Sequence, residues 1–175
     1  MPHYEYPILT HDLDVSGKQF RFPVRAAWLR GALEGTDVRP ADRDGDLDVR
    51  LSRSGRDVVV RGVLRAELMV PCARCLEPAR ITVEDEVTAL AVETPAHGAP
   101  HAEELELAIA DADTIPFDGE IVVLDDLVRD QLLLGLPMIP LCSEACAGIS
   151  HGAGSGLPDE ALDPRLRPLM RLKKT

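Results

Sequence analysis

Four cysteines are the residues of this chain best suited to chemistry, and they stand in two close pairs: Cys72-Ala73-Arg74-Cys75 and Cys142-Ser143-Glu144-Ala145-Cys146. Two or three intervening residues let the backbone turn back, so each pair can offer two thiolates to one metal ion. Four sulfurs from two such knuckles make a closed tetrahedral zinc site of the structural type, with no open position for catalysis. The predicted ligands are therefore Cys72, Cys75, Cys142 and Cys146, and the predicted cofactor is a structural Zn2+. The 66 residues between Cys75 and Cys142 exceed what a compact zinc ribbon needs, so a shared ion would clip together two parts of a larger domain. Two other chemistries fit the same residues. Free cysteines often pack as small apolar side chains, and local pairs can be redox-active or disulfide-bonded.

Other candidate groups are weaker. Asp111, Asp113, Asp118 and Glu120 lack the regular oxygen-ligand spacing of a calcium loop and read as a solvated acidic loop. His97 and His101 are four apart without a convincing helix to align them, and His151 is superfluous while four thiols are available. No serine or histidine has the partners that nucleophilic or acid–base catalysis demands. The expectation is a protein that is not an enzyme.

The elements that must position the cysteines follow from periodicity. Residues 1–20 read as an extended lead-in with Leu9, Leu13 and Val15 as buried points. Pro23 fits a helix start, and Val24, Ala27, Trp28, Gly31 and Ala32 recur at helical spacing up to a stop at Gly35. Trp28, the only tryptophan, reads as a core anchor of this helix. After a polar loop over 36–46 the period becomes two. Leu47, Val49 and Leu51 alternate with Asp48, Arg50 and Ser52. Past Ser54-Gly55, the residues Val58, Val60, Gly62, Leu64, Ala66, Leu68 and Val70 share a face. This is a hairpin with one buried and one wet side, the mark of an antiparallel sheet. Cys72 continues the apolar phase. A third strand follows Glu77-Pro78, with Ile81, Val83, Val87 and Ala89 on one face and Asp85 interrupting it. Residues 93–119 are turn-rich and acidic, with a short strand possible over Leu105 to Ile109. Ile121 to Leu134 reads as a helix with Asp125, Asp126 and Asp130 near its start, where the dipole favours acids. Leu124, Leu127, Val128, Gln131, Leu132 and Leu134 make it apolar on more than one side. Gly135, Pro137 and Pro140 end it, and the stiff segment Leu136–Leu141 leads into Cys142.

Composition bounds the rest. The 175 residues suffice for one domain with a real core. At 45% apolar but only 3% aromatic residues, that core is built from Leu, Val, Ile and Ala. The expected organisation is a single domain over 1–149 and a flexible linker and basic tail over 150–175. The start of the chain lacks the basic and apolar regions of a signal peptide, and no apolar run approaches a membrane span. This predicts a cytoplasmic protein with reduced thiols and no membrane partner. Net charge is −11 and unevenly spread. Residues 1–80 carry 13 basic and 12 acidic side chains, residues 81–163 carry 18 acids against Arg129 alone, and the last twelve carry five bases and no acid. The acidic middle repels phosphate, so any RNA contact falls to the Arg-rich N-terminal part or the tail. The same middle suits a basic partner such as a ribosomal protein.

Several pieces coincide in order: the strand into Cys72-Ala73-Arg74-Cys75-Leu76-Glu77-Pro78, an acidic loop, a Leu-rich helix, Leu136-Pro137-Met138-Ile139-Pro140-Leu141-Cys142, Cys146-Ala147-Gly148-Ile149, and Asp163-Pro164-Arg165. With the helix around Ala27-Trp28-Leu29, the chain resembles the large ribosomal RNA subunit accumulation protein family, the YceD family of bacteria and plastids. The resemblance implies a factor supporting accumulation of 23S rRNA, whose partner is a large-subunit rRNA precursor or a ribosomal protein. Many relatives continue with a further cysteine-rich stretch where this chain reads Gly148-Ile149-Ser150-His151-Gly152, so its ligands reduce to the four cysteines. The zinc expectation rests on spacing, not on the resemblance. The expected fold is α+β: an antiparallel sheet or partly closed barrel packed by helices, with a zinc clip made by the four cysteines. The leading expectation is a non-enzymatic ribosome-biogenesis factor. The alternative is an acidic protein-interaction module binding a basic partner without RNA contact.

Overall fold

A computed structural model describes residues 4–93 and 114–149. Its spine is the hairpin legible in the period-two pattern. One strand, β4 (Gly45–Ser54), turns at Gly55 into β5 (Asp57–Pro71), which pairs along its whole length with β6 (Pro78–Glu93). Leu47, Val49, Leu51, Val58, Val60, Leu64, Leu68, Val83 and Val87 are at most 1% exposed, so the inward phase of all three strands is the core. Each such side chain contributes about 1.5–3 kcal/mol on burial. Gly62 sits on that same phase for a steric reason. A Cβ there would collide with the Asp48 carbonyl and Val49 of the paired strand.

The sheet extends at both sides. β2 (Lys18–Val24) pairs antiparallel with β4, and the two-residue β3 (Arg39–Pro40) pairs with the far end of β5. On the other edge β7 (Thr114–Phe117) pairs parallel with β6. The 20-residue interval between Glu93 and Thr114 is long enough for the crossover a parallel pair requires. The sheet order is β2-β4-β5-β6-β7, with β3 off the path and no pairing between β2 and β7. The architecture is therefore α+β as expected, but the sheet is open and mixed, not a closed barrel and not purely antiparallel.

Three local readings are corrected. The N-terminal stretch is not a plain lead-in. It forms β1 (Pro7–Leu9) and a 3-10 turn (Thr10–Asp12) before β2, burying Tyr6, Ile8 and Leu13 while Leu9 and Val15 face solvent. Pro23 lies in β2, and the helix α1 spans Ala26–Ala32, burying Ala26 and Leu29, with Leu33 just past its end. The inward face of α1 thus lies beside the stripe expected from Ala27 and Gly31. Trp28 does anchor against the core, edge-to-face on Tyr6 with ring centroids 4.9 Å apart. Finally, Ile121 begins a strand and not a helix: β8 (Ile121–Val123) pairs with β1, and α2 spans Asp125–Leu134. The Asp125 carboxylate accepts hydrogen bonds from the Glu5 and Tyr6 amides at 2.9 and 2.8 Å, tying the start of the chain to the start of α2. Leu124, Val128 and Leu132 are fully buried beneath the sheet, while Leu134 is left exposed. The possible strand Leu105–Ile109, the pair His97 and His101, Asp111 and Asp113, His151 and the linker and tail over 150–175 lie outside the described residues.

Candidate metal centre

The first knuckle is an extension of the β5–β6 hairpin. Pro71 and Pro78 are its last paired residues. Beyond them the Cys72 amide donates to the Glu77 carbonyl and the Leu76 amide to the Cys72 carbonyl, each at 2.9 Å. Leu76 closes the turn in the left-handed region at φ 66°, a conformation costing about 1 kcal/mol or more for a residue with a Cβ. Cys72 keeps the inward phase of Leu68 and Val70 and is fully buried. Cys75 is half-buried beside it.

The second knuckle is brought in by α2. The helix ends at Gly135, whose amide donates to Gln131. A Cβ at Gly135 would run into Val83 and the Asp85 carboxylate of β6, so only glycine lets the helix end close against the sheet. The proline-rich segment then crosses to the hairpin, with Leu136 and Leu141 packed around Val70, Cys72 and Ala79. Two hydrogen bonds that sequence reading did not anticipate lock it there. The Ala73 amide donates to the Pro140 carbonyl at 2.8 Å, and the Arg74 guanidinium donates to the Cys146 carbonyl at 3.1 Å. Backbone carbonyls carry no type-specific signal, so only the folded geometry could reveal them.

All four sulfurs lie within 4.8 Å of one another. Two of these contacts join the knuckles: Cys72 Sγ to Cys146 Sγ at 3.8 Å and Cys75 Sγ to Cys142 Sγ at 3.7 Å. Tetrahedral Zn–S bonds of about 2.3 Å separate sulfurs by about 3.8 Å. A disulfide would need about 2.05 Å, and all four cysteines are free thiols. Burial alone does not account for the cluster either, since Cys142 is exposed.

Electrostatics point the same way. Backbone amides of Cys75, Arg74 and Cys142 aim at the Cys72 sulfur and pull its thiol down to about 6. At Cys75 the Glu77 amide acts in the same sense, but burial and the neighbouring thiols outweigh it and push the group up to about 12. Cys142 is raised mainly by Cys146 beside it. Four thiolates this close repel one another, and a divalent cation between them removes the conflict. Outside the cluster, Asp118 is occupied locally. Its carboxylate accepts from the Glu120 and Ile121 amides at 2.9 Å each, an arrangement that makes a turn and not a cation site.

A family model described as "Large ribosomal RNA subunit accumulation protein YceD" matches residues 60–173. The chain belongs to the YceD family. The matched region takes in the length of β5 from Val60, both knuckles and α2, so the four-cysteine cluster lies wholly within the family's part of the chain. Uncharacterized proteins of Mycobacterium bovis and Mycobacterium tuberculosis are 29% identical to it over 133 residues, covering 73% of this chain and 61% of theirs. The chain thus spans less than two thirds of the length of these curated relatives. No solved structure gives a significant match.

Proposed function

We propose that this YceD-family protein is a non-enzymatic assembly factor that supports accumulation of large-subunit rRNA in the cytoplasm, held in shape by a structural Zn2+ on Cys72, Cys75, Cys142 and Cys146. The family match over residues 60–173 carries the biological half of this reading. The sulfur spacing of 3.7–3.8 Å between knuckles carries the metal half. Four thiolate ligands fill a tetrahedral zinc shell, and a filled shell has no position for an activated water, which favours a fastener over a catalyst. Among the described residues no helix is long and apolar enough to cross a membrane.

Depletion of the protein should lower 23S rRNA and 50S subunits relative to 16S rRNA and 30S subunits, measured by RNA gels and gradient profiles. Normal 23S levels after depletion would overturn the reading. The acid-rich stretch over 81–163 favours a second reading, in which the factor grips a basic ribosomal protein and touches no RNA. Crosslinking in cells separates the two: RNA crosslinks to the Arg-rich part or the basic tail support the first, protein crosslinks alone the second.

A further inference from the structure

The wet face of the β4–β5 hairpin carries a charge arrangement that the fold does not need. Arg50 and Arg61 are directly paired across the two strands, and both are exposed. Like charges in that position destabilise a sheet. Farther along, the same face is balanced, because Arg65 pairs with Glu84 at 2.8 Å and with Asp46 at 3.5 Å. Asp48, the adjacent acid on β4, is taken by Gln19 and by Arg21. Arg61 makes no ion pair among the described residues. Arg50 donates to the Ser16 carbonyl, which fixes its guanidinium and leaves the rest of the fork open. Between them lies an open cleft of about 350 Å³, lined by Arg50, Ser52, Ser54, Val59 and Arg61.

The geometry points to a phosphate-binding cleft in which Arg50 and Arg61 grip the non-bridging oxygens of an RNA phosphodiester while Ser52 and Ser54 donate from their hydroxyls. The RNA assignment rests on the rRNA role proposed above; the cleft itself rests on the hairpin. Guanidinium forks match phosphate bidentately. Val59 is the one apolar residue lining the cleft, which favours a polyanionic backbone over a peptide that needs pockets for its side chains. The repulsion between the two arginines is relieved when an anion sits between them.

The test is fluorescence anisotropy of a labelled oligouridylate on the full chain, titrated over a range of salt. Arg50→Gln with Arg61→Gln should weaken binding about tenfold and flatten the slope of log K against log salt by about 1 to 2, as expected for two lost phosphate contacts. Arg61→Lys should keep the wild-type slope. Arg30→Gln, an exposed arginine on α1, should change neither quantity. Arg61→Gln should leave the melting temperature equal or higher, because it removes a repulsion and, among the described residues, neither an ion pair nor a hydrogen bond. An equal loss with Arg30→Gln, or a lower melting temperature for Arg61→Gln, would overturn the proposal. So would binding of poly-glutamate, or of inorganic phosphate alone, as tight as that of the RNA. In a deletion strain with low 23S rRNA, rescue by wild type but not by the double variant supports the cleft. Full rescue by the double variant sinks the cleft and leaves the assembly role standing, whereas normal 23S rRNA in the deletion strain sinks the role itself.

Discussion

Cys75 is the ligand whose replacement reads most cleanly, because it is half-buried, sits in a turn, and faces Cys142 of the other knuckle at 3.7 Å. Cys75→Ser should weaken zinc binding by more than the roughly 10–100-fold that loss of a supporting hydrogen-bond partner costs, and should lower the melting temperature. Metal measured on chelator-free protein together with a thermal melt checks both; unchanged metal content and unchanged melting would reject the fastener. A second residue tests the core instead of the site. The Tyr6 hydroxyl is buried with no hydrogen-bond partner among the described residues, and burial pushes its ionisation well above the ordinary range. Tyr6→Phe removes that polar atom while keeping the ring contacts with Phe22 and Trp28. Stability should stay level or rise by about 1 kcal/mol, the reverse of most core substitutions.

At the scale of elements, α2 is the arm that carries the second knuckle, and Gly135 is its wrist. Gly135→Ala forces a Cβ against Val83 and Asp85, so stability should fall by about 1–3 kcal/mol in denaturant titration. Zinc affinity should fall with it, because the helix end sets where Pro140 meets Ala73. Loss of stability with unchanged zinc affinity would show that the segment after the helix finds the hairpin independently. Leu132→Ala, deep under the same helix, should cost about 2–5 kcal/mol through its cavity, with the sulfurs themselves untouched.

For the whole molecule, a shared ion would join two regions that are distant in sequence but already packed through Val70, Cys72, Ala79, Leu136 and Leu141. Zinc removal should therefore loosen one end and not unfold the sheet. Hydrogen exchange after chelation should speed up over 72–76 and 136–146, while the β4–β5 core keeps its protection. Global unfolding on chelation would instead make the ion the nucleus of the fold.

What the chain spells locally was legible. The alternation from Leu47 to Val70 dictated a half-wet hairpin, because a period of two admits only one buried face. The cysteine spacings dictated two knuckles, because short loops converge their sulfurs. The helix after the acidic stretch announced itself through Val128 and Leu132, and its stop through Gly135. Tertiary structure decided what depends on partners far apart in the chain. Ile121–Val123 carries apolar residues that fit a helix or a strand equally, and only pairing with Pro7–Leu9 made it a strand. The same pairing converted the supposed lead-in into an ordered element. The parallel placement of Thr114–Phe117 beside Leu90–Glu93 made the sheet mixed, a pairing that no pattern within the strands specifies. The four sulfurs belong to one centre for the same reason: each knuckle is a local fact, but their meeting within 4.8 Å rests on α2 ending against β6 and on one carbonyl, Pro140, finding one amide, Ala73.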